Sequence, residues 1–324
     1  MTALGRGAEA QKFNQRNRET QPVPPAFKPL WQQFEKIFKD AVKDYYGAKD
    51  TLYKNRSRMR QFIIFCVKEF KIRNLRNISD KHISAYVDYR RQVGRTEKVI
   101  KNDLSAIRMF HRFIPNARYR ISGNEKFKLQ STPDGRLDRA WDDREYQEMV
   151  DRAREYGRSD VEMLIKLARN SGLRIHECLR ISKKMAEQFI DKGVITIKGK
   201  GGRIRDVPLR DEARTVLQLA VERVEKNNDK LFVPRGKRTD LVKDSIENFI
   251  RDHRDKCTVL NSKGNDVKIT FHGLRHAYAR EEYIKRLESG IPEGKAQREV
   301  ALLLGHGRPR VVKIYLGTLG IKQT

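Results

Sequence analysis

Residues 302–317 read LLLGHGRPRVVKIYLG and set His306 nine positions before Tyr315. The apolar helical run breaks at Gly305 and His306 and resumes at Val311 to deliver Tyr315, while an imidazole such as that of His272 is suited to proton transfer near neutral pH. Upstream, FHGLRHAYAREEY spaces His272 and Arg275 three residues apart, which places them on one face if the segment is helical. The planar guanidinium suits two-pronged contact with a phosphate. In SGLRIHECL, Arg174 follows Ser171 and Gly172 at what reads as a helix start, where free backbone donors and a guanidinium can face one anion. Glu177, three residues on, is placed to orient Arg174 or to cap the turn. Finally, IKGKGGRIRDVPL carries Lys198, Lys200, Arg203 and Arg205 around a glycine-rich turn. A lysine held against a strained phosphate can lose its proton to a leaving alkoxide.

Taken singly, each residue has a plainer explanation. An arginine at a helix start is usually solvated or paired, a turn lysine faces water, His272 can cap a helix, His306 can punctuate a turn, and Tyr315 can edge a core. His272 and His276 share the spacing of helical zinc ligands, but the HExxH glutamate and an evident third ligand are missing, so we expect neither metal nor cofactor. The combination of two Arg, two His, a hairpin Lys and a late Tyr points instead to chemistry on a phosphodiester.

The charge agrees. The 324 residues hold 70 Lys and Arg against 42 Asp and Glu, a net +28, and the natural partner is a polyanion. Residues 51–128 alone hold 20 basic against 6 acidic residues, with Lys54, Arg56, Arg58 and Arg60 at every second position. Compensating acids are scarce there, which favours a phosphate-binding surface over a merely solvated one. Cys66, Cys178 and Cys257 are far apart and lack CxxC spacing, which fits a reducing compartment and argues against disulfides. No apolar run approaches the roughly 18 residues of a membrane span, so we expect a cytoplasmic, DNA-associated protein without membrane contact.

These residues must be positioned by something, and the periodicities say what. Residues 1–28 are polar and read as a flexible basic arm. Helical patterns follow at about 30–46, 51–71, 80–93 and 96–114, the last with Ile100, Leu104, Ile107, Phe110 and Ile114 on one face. They predict a helical DNA-binding domain over 29–120. Residues 121–140, with Pro133, two glycines and no periodicity, read as a linker. A second domain, 141–324, carries helices near 143–156 and 160–170. Val194, Ile195 and Ile197 then alternate into a turn that resumes at Ile204 and Val207, a β-hairpin with room for a third strand. Helices return near 211–226, 240–253, 273–287, 295–304 and 309–316. The fold class is mainly α with a small antiparallel β-sheet.

In order and spacing, SGLRIHE, GKGGRIRDVPL, HGLRH and LLGHGRPRVVKIY resemble the four boxes of the tyrosine recombinases, the phage integrase family that includes the Xer proteins and Cre. Gly202 and Arg203 stand where some members carry a polar residue and Lys. The resemblance implies a SAM-like core-binding domain ahead of a tyrosine-recombinase catalytic domain. It also implies a catalytic set of Arg174, Lys200, His272, Arg275, His306 and the nucleophile Tyr315, supported by Glu177. Lys200 is preferred to Lys198 because it occupies the family's Gly-Lys-Gly turn. The implied activity is site-specific cutting and rejoining of double-stranded DNA through a 3′-phosphotyrosyl ester, without cofactor, by a homotetramer on two sites, in the service of a mobile element or phage. Two other readings fit the same residues: a type IB topoisomerase, and a DNA-binding or architectural protein without activity.

Overall fold

Where apolar side chains recur at three and four residues, the chain winds into helices that bury the stripe. The computed structural model describes residues 23–47, 49–130, 138–199, 202–226, 228–257 and 267–317. It divides into two compact units at the Thr132–Pro133 junction.

In the first unit, helix α1 (Phe27–Lys43) buries Phe27, Leu30, Phe34, Ile37, Phe38 and Ala41 along one side. Helices α2 (Lys49–Phe70), α3 (Asp80–Gln92) and α4 (Glu97–His111) complete the bundle. The Thr96 hydroxyl caps α4 by accepting the Val99 N–H. Phe34 of α1 meets Phe110 of α4 edge-on, with ring centroids 4.9 Å apart. The basic run on α2 is partly inward. Arg56 bonds Glu35, Arg58 lies 3.4 Å from the buried Asp103, and Arg60 sits over the Phe27 ring. Glu35 precedes the basic stretch, so a local charge count hides it. Three of these four cations therefore brace the bundle as well as adding to its charge.

The second unit starts its helices with α5 (Asp143–Glu155), which opens on a capping box made by Asp142 and Glu145. Helix α6 (Ser159–Ser171) follows, then the four-residue α7 (Ile175–Cys178) and α8 (Lys183–Lys192). Strands β1 (Val194–Lys198) and β2 (Ile204–Pro208) pair antiparallel, with Ile195 opposite Val207 and Ile197 opposite Arg205. Helices α9 (Asp211–Arg223), α10 (Thr239–Cys257), α11 (Phe271–Glu288), α12 (Glu293–Leu303) and α13 (Val312–Leu316) complete the unit. Helices α6 and α11 lie at the centre: Leu164, Ile165 and Ala168 on the first, Leu274, Tyr278 and Ala279 on the second, are all buried.

Three local outcomes differ from the sequence expectations. Among the described residues the sheet has two strands; Ser182 and Lys230 make only an isolated bridge where a third would run. Helix α8 has no counterpart among the expected elements, because it buries only Ala186 and Phe189, too few anchors for a visible period. Its ends are nonetheless encoded by the Ser182 N-cap and by Gly193 at φ 66°. The expected last helix begins instead as a 3₁₀ turn (Pro309–Val311) before α13, since Pro309 can start a helical turn but not continue one. Among the described residues no helix is long and apolar enough to cross a membrane.

Candidate active site

The site forms in the second unit where α6 ends. Gly172 stops α6 in the left-handed region at φ 61°, and a Cβ there would strike the Tyr278 ring. The chain then turns into α7 with Arg174 extended at its start. Glu177, fully buried, accepts the backbone N–H of Arg174 at 2.8 Å and its Nη1 at 3.0 Å. Both contacts that the three-residue spacing allows are thus present, the cap on the turn and the pairing with the guanidinium.

Arg275 occupies the second turn of α11. The start of that helix is pinned by Trp141, whose Nε1 donates to the Thr270 carbonyl at 2.8 Å. Gly273 is required there, because a Cβ would run into the Arg139 carbonyl and the Trp141 indole. The Arg275 side chain is 1% exposed. Nη1 donates to the Gly172 carbonyl at 2.5 Å, and Nη2 donates to the Leu304 carbonyl. Its Nη1 also lies 4.0 Å from Glu177 Oε2. Burial lowers this guanidinium to about 10, still far above neutrality.

His306 follows α12 in the Gly305 turn, where φ is 68° and the His306 N–H donates to the Ala301 carbonyl at 2.8 Å. Its Nε2 lies 3.0 Å from the Tyr315 hydroxyl and 3.4 Å from Arg275 Nη2. A guanidinium only donates, so the tautomer that satisfies both contacts carries its proton on Nδ1 and leaves Nε2 to accept. The tyrosine O–H then points at the imidazole. Burial, with Arg275, Arg174 and Arg205 nearby, pushes His306 down to about 4 and keeps it neutral at pH 7.

Tyr315, on α13, is 6% exposed, but its surroundings are polar on several sides. His276 packs on the phenol with centroids 4.6 Å apart, His306 follows at 5.3 Å and His272 at 5.8 Å, and the Arg275 guanidinium lies 5.6 Å from the ring centre. His272 keeps an exposed face, yet partial burial and the charges of Arg275, Arg174 and Arg139 push it down to about 4. His276 is buried and is pushed down to about 3 by that burial first and by the His272 charge next.

Arg174, Glu177, Arg275, His306, Tyr315 and His272 are therefore brought together. Lys200 lies outside the described residues; the hairpin that carries it closes with Gly199 N–H donating to the Arg203 carbonyl at 2.7 Å. Two neighbours of the site do not stand out from sequence. His276 shares the helical face of His272 one turn on, where its spacing suggests only a zinc ligand. Arg205 sits between buried Val207 and the turn, and the alternation of β2 is the signal that points it inward.

The electrostatics centre on Glu177. Burial alone would raise its carboxyl, but hydrogen bonds from Arg205 and the Arg174 backbone, with both guanidinium charges, hold it at about 2. Three guanidinium groups around one carboxylate leave two positive charges in excess, at a half-open site rimmed by neutral imidazoles. Such a site binds an anion and stabilises one that gains charge.

Residues 140–319 match the phage integrase family, and residues 45–117 match the phage integrase N-terminal SAM-like domain. The chain is 25% identical over 295 residues to the tyrosine recombinase XerD of Oceanobacillus iheyensis, covering 85% of this chain and 92% of that protein. It is 25% identical over 316 residues to XerD of Bradyrhizobium diazoefficiens, with 89% and 92% covered. Among solved structures, a lambda integrase dimer bound to a COC′ core site superposes with a TM-score of 0.64 at 16% identity, over 91% of this chain and 79% of that one. The XerH site-specific recombinase bound to a palindromic difH substrate gives 0.59 at 17%, over 94% and 96%. Those two share the fold. With the family match spanning more than half of its 324 residues, the chain belongs to the phage integrase family of tyrosine recombinases.

Proposed function

We propose that this chain cuts and rejoins double-stranded DNA at specific sites, with Tyr315 as nucleophile. One observation carries the reading: the Tyr315 hydroxyl lies 3.0 Å from the neutral His306 Nε2, beside a buried guanidinium. A phenol with an ordinary pKa of about 10 is a weak nucleophile at neutral pH, so it needs both a proton acceptor and a stabilised transition state. His306 Nε2 is the nearest acceptor, and His272 relays the proton outward. Both imidazoles gain basicity when a phosphodiester brings negative charge alongside them.

Tyr315 Oη bonds to the scissile phosphorus while the bond to the 5′-oxygen breaks. The 3′-phosphate remains esterified to the protein, and the departing 5′-oxygen takes a proton from Lys200. Arg174 and Arg275 meet the non-bridging oxygens. Their two excess charges match the pentacovalent intermediate, which carries two negative charges when phenolate adds to a phosphodiester. The ester stores the bond energy, so a 5′-hydroxyl from another strand can reverse the step and exchange partners. We further propose a homotetramer on two DNA sites, each protomer supplying one such site, and a role in moving a mobile element. A lambda integrase tetramer bound to a Holliday junction, whose chains share this fold, supports that assembly.

The test is covalent trapping. The protein is incubated with randomised duplexes nicked so that the short downstream fragment bearing the freed 5′-hydroxyl diffuses away, and adducts are recovered and sequenced. A phosphotyrosyl adduct at Tyr315 and a consensus site are expected. Adducts without any consensus, together with relaxation of supercoiled plasmid, would favour the topoisomerase reading. Absence of any adduct would favour a binding protein.

A further inference from the structure

The proposed chemistry leaves one buried guanidinium without a task. Arg205 lies on the inner side of β2, flanked by outward-facing Ile204 and Asp206, and is 7% exposed. An arginine placed there costs solvation that only a well-matched carboxylate returns. Arg205 spends its fork on Glu177: Nη1 reaches Oε1 at 3.1 Å and Nη2 reaches Oε2 at 2.7 Å. Its stem runs beneath the final loop, where a Cβ on Gly305 would meet Arg205 Cδ at 3.0 Å, one residue before His306. Its fork lies against the hairpin turn, where a Cβ on Gly199 would meet Nη1 at 3.2 Å. One side chain thus touches the helix start that bears Arg174, the turn that leads to Lys200, and the loop that bears His306.

The consequence is electrostatic. A carboxylate facing Arg174 and Arg275 without another partner would draw both guanidinium groups onto its own oxygens and cancel much of the field they offer a phosphate. With Arg205 occupying both oxygens, Arg174 gives Glu177 a single Nη1 contact and keeps 21% of its side chain open, while Arg275 Nη1 stays at 4.0 Å.

We propose that Arg205 is a positioning residue: by occupying both oxygens of Glu177 it keeps Arg174 and Arg275 turned towards the scissile phosphate, and its stem sets the Gly305–His306 loop. This rests on the recombinase reading of the site.

The experiment uses the full chain and a nicked duplex selected as above, and measures single-turnover formation of the covalent adduct and DNA affinity. Arg205→Gln and Arg205→Lys are each expected to slow adduct formation by about a hundredfold, within the range for losing an oriented transition-state donor, and to leave affinity within about threefold. Lysine keeps the charge but cannot fork. Repeated in an Arg174→Lys background, the same changes should slow the reaction by less than about threefold, because the residue through which Arg205 acts is already misplaced. A purely architectural Arg205 would slow both backgrounds equally. Equal slowing, a wild-type rate in both variants, or failure of both to fold would each overturn the proposal. Tyr315→Phe serves as control: an adduct there, or none from the wild type, would defeat the recombinase reading and this proposal with it, whereas a wild-type adduct at Tyr315 that the Arg205 changes leave unslowed would defeat this proposal alone.

Discussion

Arg275 Nη1 donates to the backbone carbonyl of Gly172, 103 positions earlier, at 2.5 Å, so the guanidinium at the heart of the site is aimed by a main-chain oxygen. That oxygen is placed by a residue at φ 61° that packs directly on Tyr278. Gly172→Ala should therefore cost stability, about 1–3 kcal/mol from backbone strain, and should also slow DNA cleavage by displacing the acceptor. Urea denaturation and adduct formation measured together check this. A stable variant with unchanged cleavage would show that Gly172 is replaceable.

Arg275→Lys should slow cleavage by about a hundredfold to a thousandfold, because an ammonium cannot hold the Gly172 and Leu304 carbonyls and still present a second donor to phosphate. Affinity for DNA should change far less. A rate within tenfold of the wild type would remove Arg275 from the transition-state clamp.

Tyr315→Phe should abolish the covalent adduct and spare binding. It also removes the hydroxyl that contacts His306, a change of about 1 kcal/mol in stability at most. Mass spectrometry of trapped complexes gives the decisive readout, since an adduct on any other residue would reassign the nucleophile.

Acid should weaken the catalytic unit. Glu177 is held at about 2 against an ordinary 4.5, so its ion pairs contribute fully above about 4.5 and are lost as pH falls towards 2. His276 and His306, held at about 3 and 4 against 6.5, stay neutral in the folded state while the unfolded chain takes up protons below about 6.5. The unfolded state binds more protons across that window, so stability rises with pH from 4 to 6.5. Thermal denaturation at a series of pH values should show the midpoint falling steadily below 6.5. A midpoint independent of pH would mean that these histidines are not excluded from protonation.

Glu177→Gln should be among the most damaging single changes. Removing the one carboxylate leaves Arg174, Arg205 and Arg275 facing each other in a buried setting, at a cost of about 3–5 kcal/mol. Calorimetry distinguishes this from the milder loss of a surface pair.

Most of the site is legible in the sequence because its residue types are rare in combination and stand in short motifs. The His272 and Arg275 spacing needs only a helix to bring both onto one face, and α11 supplies it. What the motifs do not convey is depth. Arg275 is buried because it reaches two carbonyls, 103 and 29 positions away, and such partners carry no side-chain signature. Arg205 is named only as one of four hairpin cations, because a basic residue on a hairpin ordinarily faces water; its place in the alternation beside buried Val207 is what marks it as inward. Helix α8 is hidden for the opposite reason, having clear caps but a two-residue apolar face.

The closing stretch of the second unit has one more implication. His306 and Tyr315 belong to a single short length of backbone, and the same stretch offers the Leu304 carbonyl to Arg275. Lifting that strap away would take with it the Tyr315 hydroxyl proposed to attack, the imidazole proposed to accept its proton and the tether of a guanidinium in one stroke. On the proposed mechanism, the site would be armed or disarmed as a whole.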